Sequence, residues 1–359
     1  MIQKTIFSIS SNTFLIFISS SEGLCHMNIS AKELALKLGV SPSAVSIALN
    51  GKSGVSDETR SRILEAAEQY GLRHTKRRKS SSAFFTLVIY KKHGKVCSET
   101  DFFAAVIEGI TTQAALVGYK VQLVYLYGSD DLKKKLEDLA ASDSAGFIFF
   151  ATEMREDDIC LLEDFSCPHV ILDSYFPKHH HNYVTINNME GAYLAARHLI
   201  ERGHRRIGYL TSSIRINNFD ERRSGLQLAI AECPDCTLEE IPVSPTQDGA
   251  YMDMRAYLSD HTLDVTGCFA DNDIIAVSCI RALKESNYRI PTDISLASFD
   301  DMPISYVTSP KLTTVHVCKE TLGQSAVKRL CELLEHPEDP PMLLSVGVTL
   351  TVRDSVRTL

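Results

Sequence analysis

The chain has 359 residues, 44% of them hydrophobic and 23% charged, with a net charge of −8; this is apolar material enough for two or three ordinary cores and excludes a disordered or low-complexity protein. Charge is unevenly placed: Met27 to Ser80 holds ten Lys/Arg against five Asp/Glu, net +5, whereas residues 81–359 carry −13. A basic start suits phosphates and an acidic remainder repels them, so a nucleic-acid contact belongs to the first part of the chain.

Residues 1–26 hold one lysine, an apolar Ser-rich run and small residues, a pattern faintly like a secretory signal. Three compact helical patterns follow. Ser30 with Glu33 makes a capping box, and the first helix ends at Leu38 before Gly39. Ser41 then caps a second helix with Pro42 in its first turn. Val45, Ala48 and Leu49 share its inner face, while Pro42, Ser43, Ser46, Ile47 and Asn50 form a small, mostly polar outer face beside a helix N-terminus, as a DNA recognition helix requires. Ser56 caps a third helix, whose Ile63, Ala66 and Ala67 cover the first two before Gly71 ends it. Any small three-helix bundle shares this spacing.

The basic run Lys76-Arg77-Arg78-Lys79 leads into a body where strand and helix patterns alternate. The apolar stretch FFTLVIY reads as a parallel strand buried on both faces, followed by a helix, YKVQLVYLY, a helix through Leu136, AGFIFFA, another helix and HVILD. After NYVTINN a second series runs through MEGAYLAARHLIERG, RRIGYLT and LDVTGCFADNDIIAVSCIRALKES to DISLASFDD. Two such series predict a doubly wound α/β core of two lobes, with ligand bound at the carboxyl ends of the strands.

Ser30 to Gly71 resembles the DNA-binding headpiece of the lac repressor and galactose repressor family, through Leu34-Ala35, Gly39-Val40-Ser41, Val45-Ser46, Leu49-Asn50, Val55-Ser56 and Thr59-Arg60. The likeness continues over Phe84 to Ser355, where HLIERGHRRIGYLT, ERRSGL, ADNDIIA, DISLASFDD, LTTVHV and LTVRDS are similar to successive family landmarks. It implies an all-α helix-turn-helix headpiece (residues 27–73), a linker (74–83) and a two-lobed core like that of periplasmic sugar-binding proteins (84–359), with crossings between lobes near Ile186, His316 and Pro340. In the family the headpiece opens the chain, which fits Met27, so residues 1–26 are read as a disordered leader or a misassigned start.

The resemblance also places candidate ligand residues. Arg222 stands at the family's Arg-x-x-Gly position, with Arg223 as the alternative reader, and Asp273 matches its acidic ligand residue, although Asp there also serves as a helix cap. By the strand-end rule Asp173 faces the cleft or caps the next turn, and Phe299 with Asp300 either meets a sugar ring or serves the core. Phe102 and Phe103 open the first cleft helix, one to stack on ligand and the other to pack.

Two departures stand out. Where the family has an Ala-Arg-x-x-Leu-like hinge this chain has KRRKSSSAF, suited to phosphate attraction rather than minor-groove wedging, and Ile47 replaces a frequent arginine, leaving apolar contact with a base edge. His179-His180-His181 is read as a solvated loop rather than a metal site, because three consecutive residues cannot all face one ion. Ten scattered cysteines are read as reduced thiols, Cys233 and Cys236 included despite their CxxC spacing. No nucleophile elbow or P-loop is present, so no enzyme and no cofactor is expected. The expected protein is a cytoplasmic homodimeric repressor without membrane contact, binding operator DNA through Ser41, Pro42, Ser43, Ser46, Ile47, Asn50 and Lys76 to Lys79 and controlled by a sugar-like effector. The alternative is an exported solute-binding protein, favoured by the leader and the lobes.

Overall fold

The computed structural model describes residues 31–49, 54–69, 83–97 and 101–359. The leader, the Ser30 cap, Asn50 and the basic run Lys76 to Lys79 lie outside them, as do the side chains of Ser46 and Leu49. The chain divides into two compact units, residues 1–80 and 81–359.

The first unit contains α1 (Ala31–Leu38), α2 (Pro42–Leu49) and α3 (Asp57–Gln69). Gly39 takes φ +66°, and the Val40 amide donates to Ala35 O at 3.0 Å, which turns the chain sharply between α1 and α2. Ser41 Oγ accepts from the Ala44 amide at 3.1 Å, and Ser56 Oγ from Thr59 at 3.3 Å, so both caps form. Leu34, Ala35, Val45, Ala48, Ile63, Ala66 and Ala67 make the core, edged by Leu38, Val40 and Val55.

The second unit holds two six-stranded sheets. The first runs in the order β11 (Leu343–Val346), β5 (Asn182–Ile186), β4 (His169–Leu172), β3 (Phe147–Phe150), β1 (Phe84–Lys91), β2 (Lys120–Tyr127), parallel throughout. Helices α4 (Asp101–Leu116) and α12 (Lys319–Glu335) pack together on it. The second sheet runs β12 (Val348–Thr351), β10 (Thr313–Val317), β9 (Ser295–Asp300), β8 (Gly267–Ala270), β6 (Arg206–Ser212), β7 (Thr237–Val243), parallel except for the antiparallel edge β12. It carries the helix pairs α7 (Asn188–Glu201) with α8 (Asn217–Ala231), and α9 (Gln247–Asp260) with α10 (Asp273–Glu285). Central strands such as β1 are buried along nearly their whole length, which is why they read as unbroken apolar runs.

The remaining helices are α5 (Leu132–Ala140), the single turn α6 (Glu156–Ile159) and α11 (Pro303–Val307). The helix expected between β3 and β4 is thus only α6 and a 3-10 turn at Cys160–Leu162. The chain passes between sheets after Ile186, after Val317 and at Gly347. The last crossing falls beyond Pro340, because β11 must first add to the edge of the first sheet beside β5. Described cysteines form no disulfide. Among the described residues no helix is long and apolar enough to cross a membrane.

Candidate functional site

A cavity of about 330 Å³ opens between the two sheets of the second unit. The first sheet contributes Gly94, Lys95 and Val96 after β1, Phe102 and Phe103 of α4, Thr152 after β3 and Asp173 after β4. The second contributes Asn218, Phe219 and Arg222 of α8, Thr246 after β7, Asn272 after β8, and Asp300 with Met302 at the end of β9. Except for side chains on the helices, these residues stand at strand carboxyl ends, where the converging loops leave a crevice.

Arg222 is the hub of the second wall. It is 3% exposed, and its Nε donates to Asn188 Oδ1 at 2.9 Å, Nη1 to Asp271 O at 2.5 Å and Nη2 to Asp300 Oδ1 at 3.1 Å. The guanidinium lies 3.8 Å from the centroid of the Phe299 ring. A guanidinium has five N–H donors, so two remain for a ligand. Arg223 instead turns to Glu240 of β7 and does not line the cavity.

Asp173 holds the first wall. Thr152 Oγ1 donates to its Oδ2 at 2.6 Å, and Asn218 Nδ2 reaches across from the other sheet to its Oδ1 at 3.2 Å. Burial pushes its pKa up to about 7. Further bonds tie the walls: Asn217 Nδ2 to Tyr175 O at 3.0 Å, and Arg155 Nη1 to Asn217 Oδ1 at 3.0 Å and to Asp220 Oδ2 at 3.3 Å. Asp173, Asp300 and Asp301 all have positive φ (66°, 103° and 49°), a strained backbone for residues with a side chain and a frequent mark of functional sites.

Five expected ligand residues therefore meet in one cavity: Phe102, Phe103, Asp173, Arg222 and Asp300. Phe102 and Phe103 pack edge to face at 5.5 Å, and both line it. Two do not reach it. Asp273 is fully buried, accepting from Ser298 Oγ, from Thr314 Oγ1 at 2.7 Å and from the Met302 amide at 2.7 Å; it braces the loop after β9 from behind, and its pKa is pushed up to about 7 by burial. Its neighbour Asn272 lines the cavity while capping α10, its Oδ1 accepting from Ile275 at 3.0 Å. Phe299 is fully buried between Arg222 and Gly191, where a Cβ would come within 2.4 Å of the ring.

Glu153 was not legible as a site residue. Fully buried, it accepts amide hydrogen bonds from His93, Gly94, Val96 and Cys97 at 2.7–3.0 Å, shaping the loop that lines the cavity. Burial opposes its ionisation, but these donors together hold the carboxyl below its ordinary value. A buried glutamate just after an apolar strand was the available signal.

In the first unit Ser41, Pro42 and Ser43 are exposed at the start of α2. Ile47 is half-buried, because its side chain lies against Gly54.

Residues 30–73 match the family described as bacterial regulatory proteins, lacI family, and residues 196–356 match the periplasmic binding protein-like domain. The HTH-type transcriptional repressor PurR of Mannheimia succiniciproducens is 31% identical over 336 residues, covering 91% of this chain and 98% of its own. The chain belongs to the lacI family. This lacI-family protein is accordingly a DNA-binding transcriptional regulator and not an enzyme. Its fold is also that of a LacI family transcriptional regulator from Enterococcus faecium with bound ribose, 25% identical with a TM-score of 0.66 over 76% of this chain and 99% of the other. The lac repressor dimer bound to operator and the anti-inducer ONPF shares the fold at 21% identity, with a TM-score of 0.68 over 92% of this chain and 99% of the other.

Proposed function

We propose that this lacI-family regulator is a homodimeric cytoplasmic repressor whose operator affinity is set by a neutral, sugar-like effector held between its two lobes. The observation that carries this reading is the pairing of Asp173 on one wall with Asn218 and Arg222 on the other, beside Asp300 and under Phe102, Phe103 and Phe219. Hydroxyls both donate and accept, so a polyhydroxylated ring satisfies carboxylates and free guanidinium N–H groups together while its C–H face rests on aromatic rings. The buried cation of the lining, Arg222, is already paired with Asp300, which disfavours an anion. The Enterococcus relative holds ribose, which supports the same class. A ligand bridging both walls binds the closed arrangement in preference to the open one, and that differential affinity is what shifts operator binding.

The test is a thermal-shift panel on the full chain with pentoses, hexoses, sugar phosphates and nucleobases, followed by operator titration. A neutral sugar should stabilise the protein, by about 2.7 kcal/mol at 100 times its dissociation constant, and change operator affinity. Stabilisation by a nucleobase alone would overturn the sugar class while leaving the regulator. On the DNA side, Ser43 and Ile47 are assigned to base edges and Lys76 to Lys79 to phosphates. Neutralising the four basic residues should weaken operator and random DNA alike and flatten the log-log salt dependence by up to about one unit per lost phosphate contact. Ile47→Arg should change the preferred base at one position per half-site and leave that slope almost unaltered.

A further inference from the structure

The run His179-His180-His181 is not uniformly solvated. His180 is exposed, but His181 is 8% exposed and His179 only partly so. Their rings stand parallel, 6.5 Å apart, and both meet Glu163, which follows the 3-10 turn. One ligand atom from each of Glu163, His179 and His181 lies within 4.8 Å of the others.

The hydrogen bonds decide which atoms carry protons. Cys167 O, a pure acceptor, is 2.8 Å from His169 Nδ1, so that nitrogen donates. A neutral imidazole that donates through Nδ1 accepts through Nε2, and His169 Nε2 lies 3.0 Å from His181 Nδ1, which donates to it. In the His181 tautomer that makes this bond the lone pair lies on Nε2. That atom is buried without a hydrogen-bond partner, and it faces Glu163 Oε1, another acceptor, at 3.8 Å. A nitrogen lone pair turned toward a carboxylate oxygen is an arrangement completed by a cation between them. His179 Nδ1 donates a hydrogen bond to the same oxygen at 2.5 Å.

We propose that Glu163, His179 and His181 form a binding site for a divalent transition metal of zinc's ligand preference, at the amino end of the first sheet and distinct from the effector cavity. Two imidazoles and a carboxylate are a zinc-type donor set that leaves a fourth position for water. Zinc bonds of roughly 2.0–2.2 Å place tetrahedral ligand atoms about 3.3 Å apart, so modest side-chain rotation closes the site. His179 then carries its proton on Nε2, toward Glu156 Oε1 at 3.5 Å, and no proton is lost from the ring. His169 is a positioning residue that fixes the His181 tautomer, as outer partners of ligating histidines do.

The test uses full-length protein stripped with chelator and titrated with zinc chloride alone by calorimetry, with cobalt(II) absorption reporting coordination geometry. One equivalent should bind, with tetrahedral cobalt bands, and raise the melting temperature. His180→Ala and the Cys233→Ser/Cys236→Ser double variant should bind as the unaltered protein does. Glu163→Ala and His179→Ala, altering residues that are not fully buried, should lose saturable binding with the circular dichroism spectrum unchanged. His169→Phe should weaken it by roughly 10–100-fold. Failure to bind zinc, retention of binding in both Glu163→Ala and His179→Ala, or its loss in the cysteine double variant would overturn the assignment.

Discussion

The two walls of the cavity are built differently. The second wall is a closed polar network: Arg222 is committed to Asn188, Asp271 and Asp300, and Asp271 in turn accepts from Tyr209, from Thr211 at 3.2 Å and from the Ser212 amide at 2.7 Å. Such a network is ordered before ligand arrives. The first wall carries Phe102 and Phe103, with Asp173 as the buried carboxylate that lines it and a loop held from below by the buried Glu153. Its polar ties to the other side, through Asn218, Asn217 and Arg155, are a few side-chain hydrogen bonds, one of them within the Arg155–Asp220 ion pair, that opening would exchange for water. The difference teaches that one lobe supplies a preformed recognition surface and the other supplies closure.

The strongest way to break the contrast is Arg222→Leu. It leaves Asp300 and the Asp271 carbonyl without their partner in a buried setting, so stability should fall by about 3–5 kcal/mol in urea denaturation. Effector-induced stabilisation should vanish while ligand-free operator affinity, measured below the melting transition, stays nearly unchanged. An unaltered ligand titration would remove Arg222 from the recognition surface.

Asp173→Asn sharpens the contrast through pH. The folded pKa of about 7 lies above the model-peptide value of 3.8, so the folded protein holds a proton that the unfolded chain releases. The stability from this group is complete below about pH 4 and lost as pH rises toward 7. The variant should flatten the stability curve in that window, by at most about 1.4 kcal/mol per pH unit. Curves of identical slope for the two proteins would show that Asp173 is not the titrating group.

The smallest effect belongs to Arg155→Ala. Its ion pair with Asp220 at 3.3 Å is about one-third exposed on both sides, so the stability change should not exceed about 1 kcal/mol. Because it bridges the walls, the ligand-free protein should open more often, seen as a larger radius of gyration in solution scattering and a several-fold weaker effector affinity. A stability loss as large as that of Arg222→Leu would mean that closure, too, is built into the network.

The headpiece was legible because its information is local. Caps at Ser41 and Ser56, the turn at Gly39 and the inward Val45, Ala48 and Ile63 all act within a few residues along the chain, where helical period and side-chain chemistry suffice. The alternation of apolar runs with amphipathic helices likewise determined the two α/β lobes and placed Asp173 and Asp300 at strand ends and Phe102 and Phe103 at the start of a cleft helix, while Arg222 was legible only through the family resemblance. Tertiary structure alone decided between neighbours. Whether Asp273 or Asn272 faces the cavity depends on one step of the turn into α10, and that step is set by Ser298 and Thr314, which reach Asp273 from strands far along the chain. The same holds for the histidines. The run leaves a turn just before β5, and the packing of Glu163 and His169 against it turns His179 and His181 toward one point and leaves His180 in solvent.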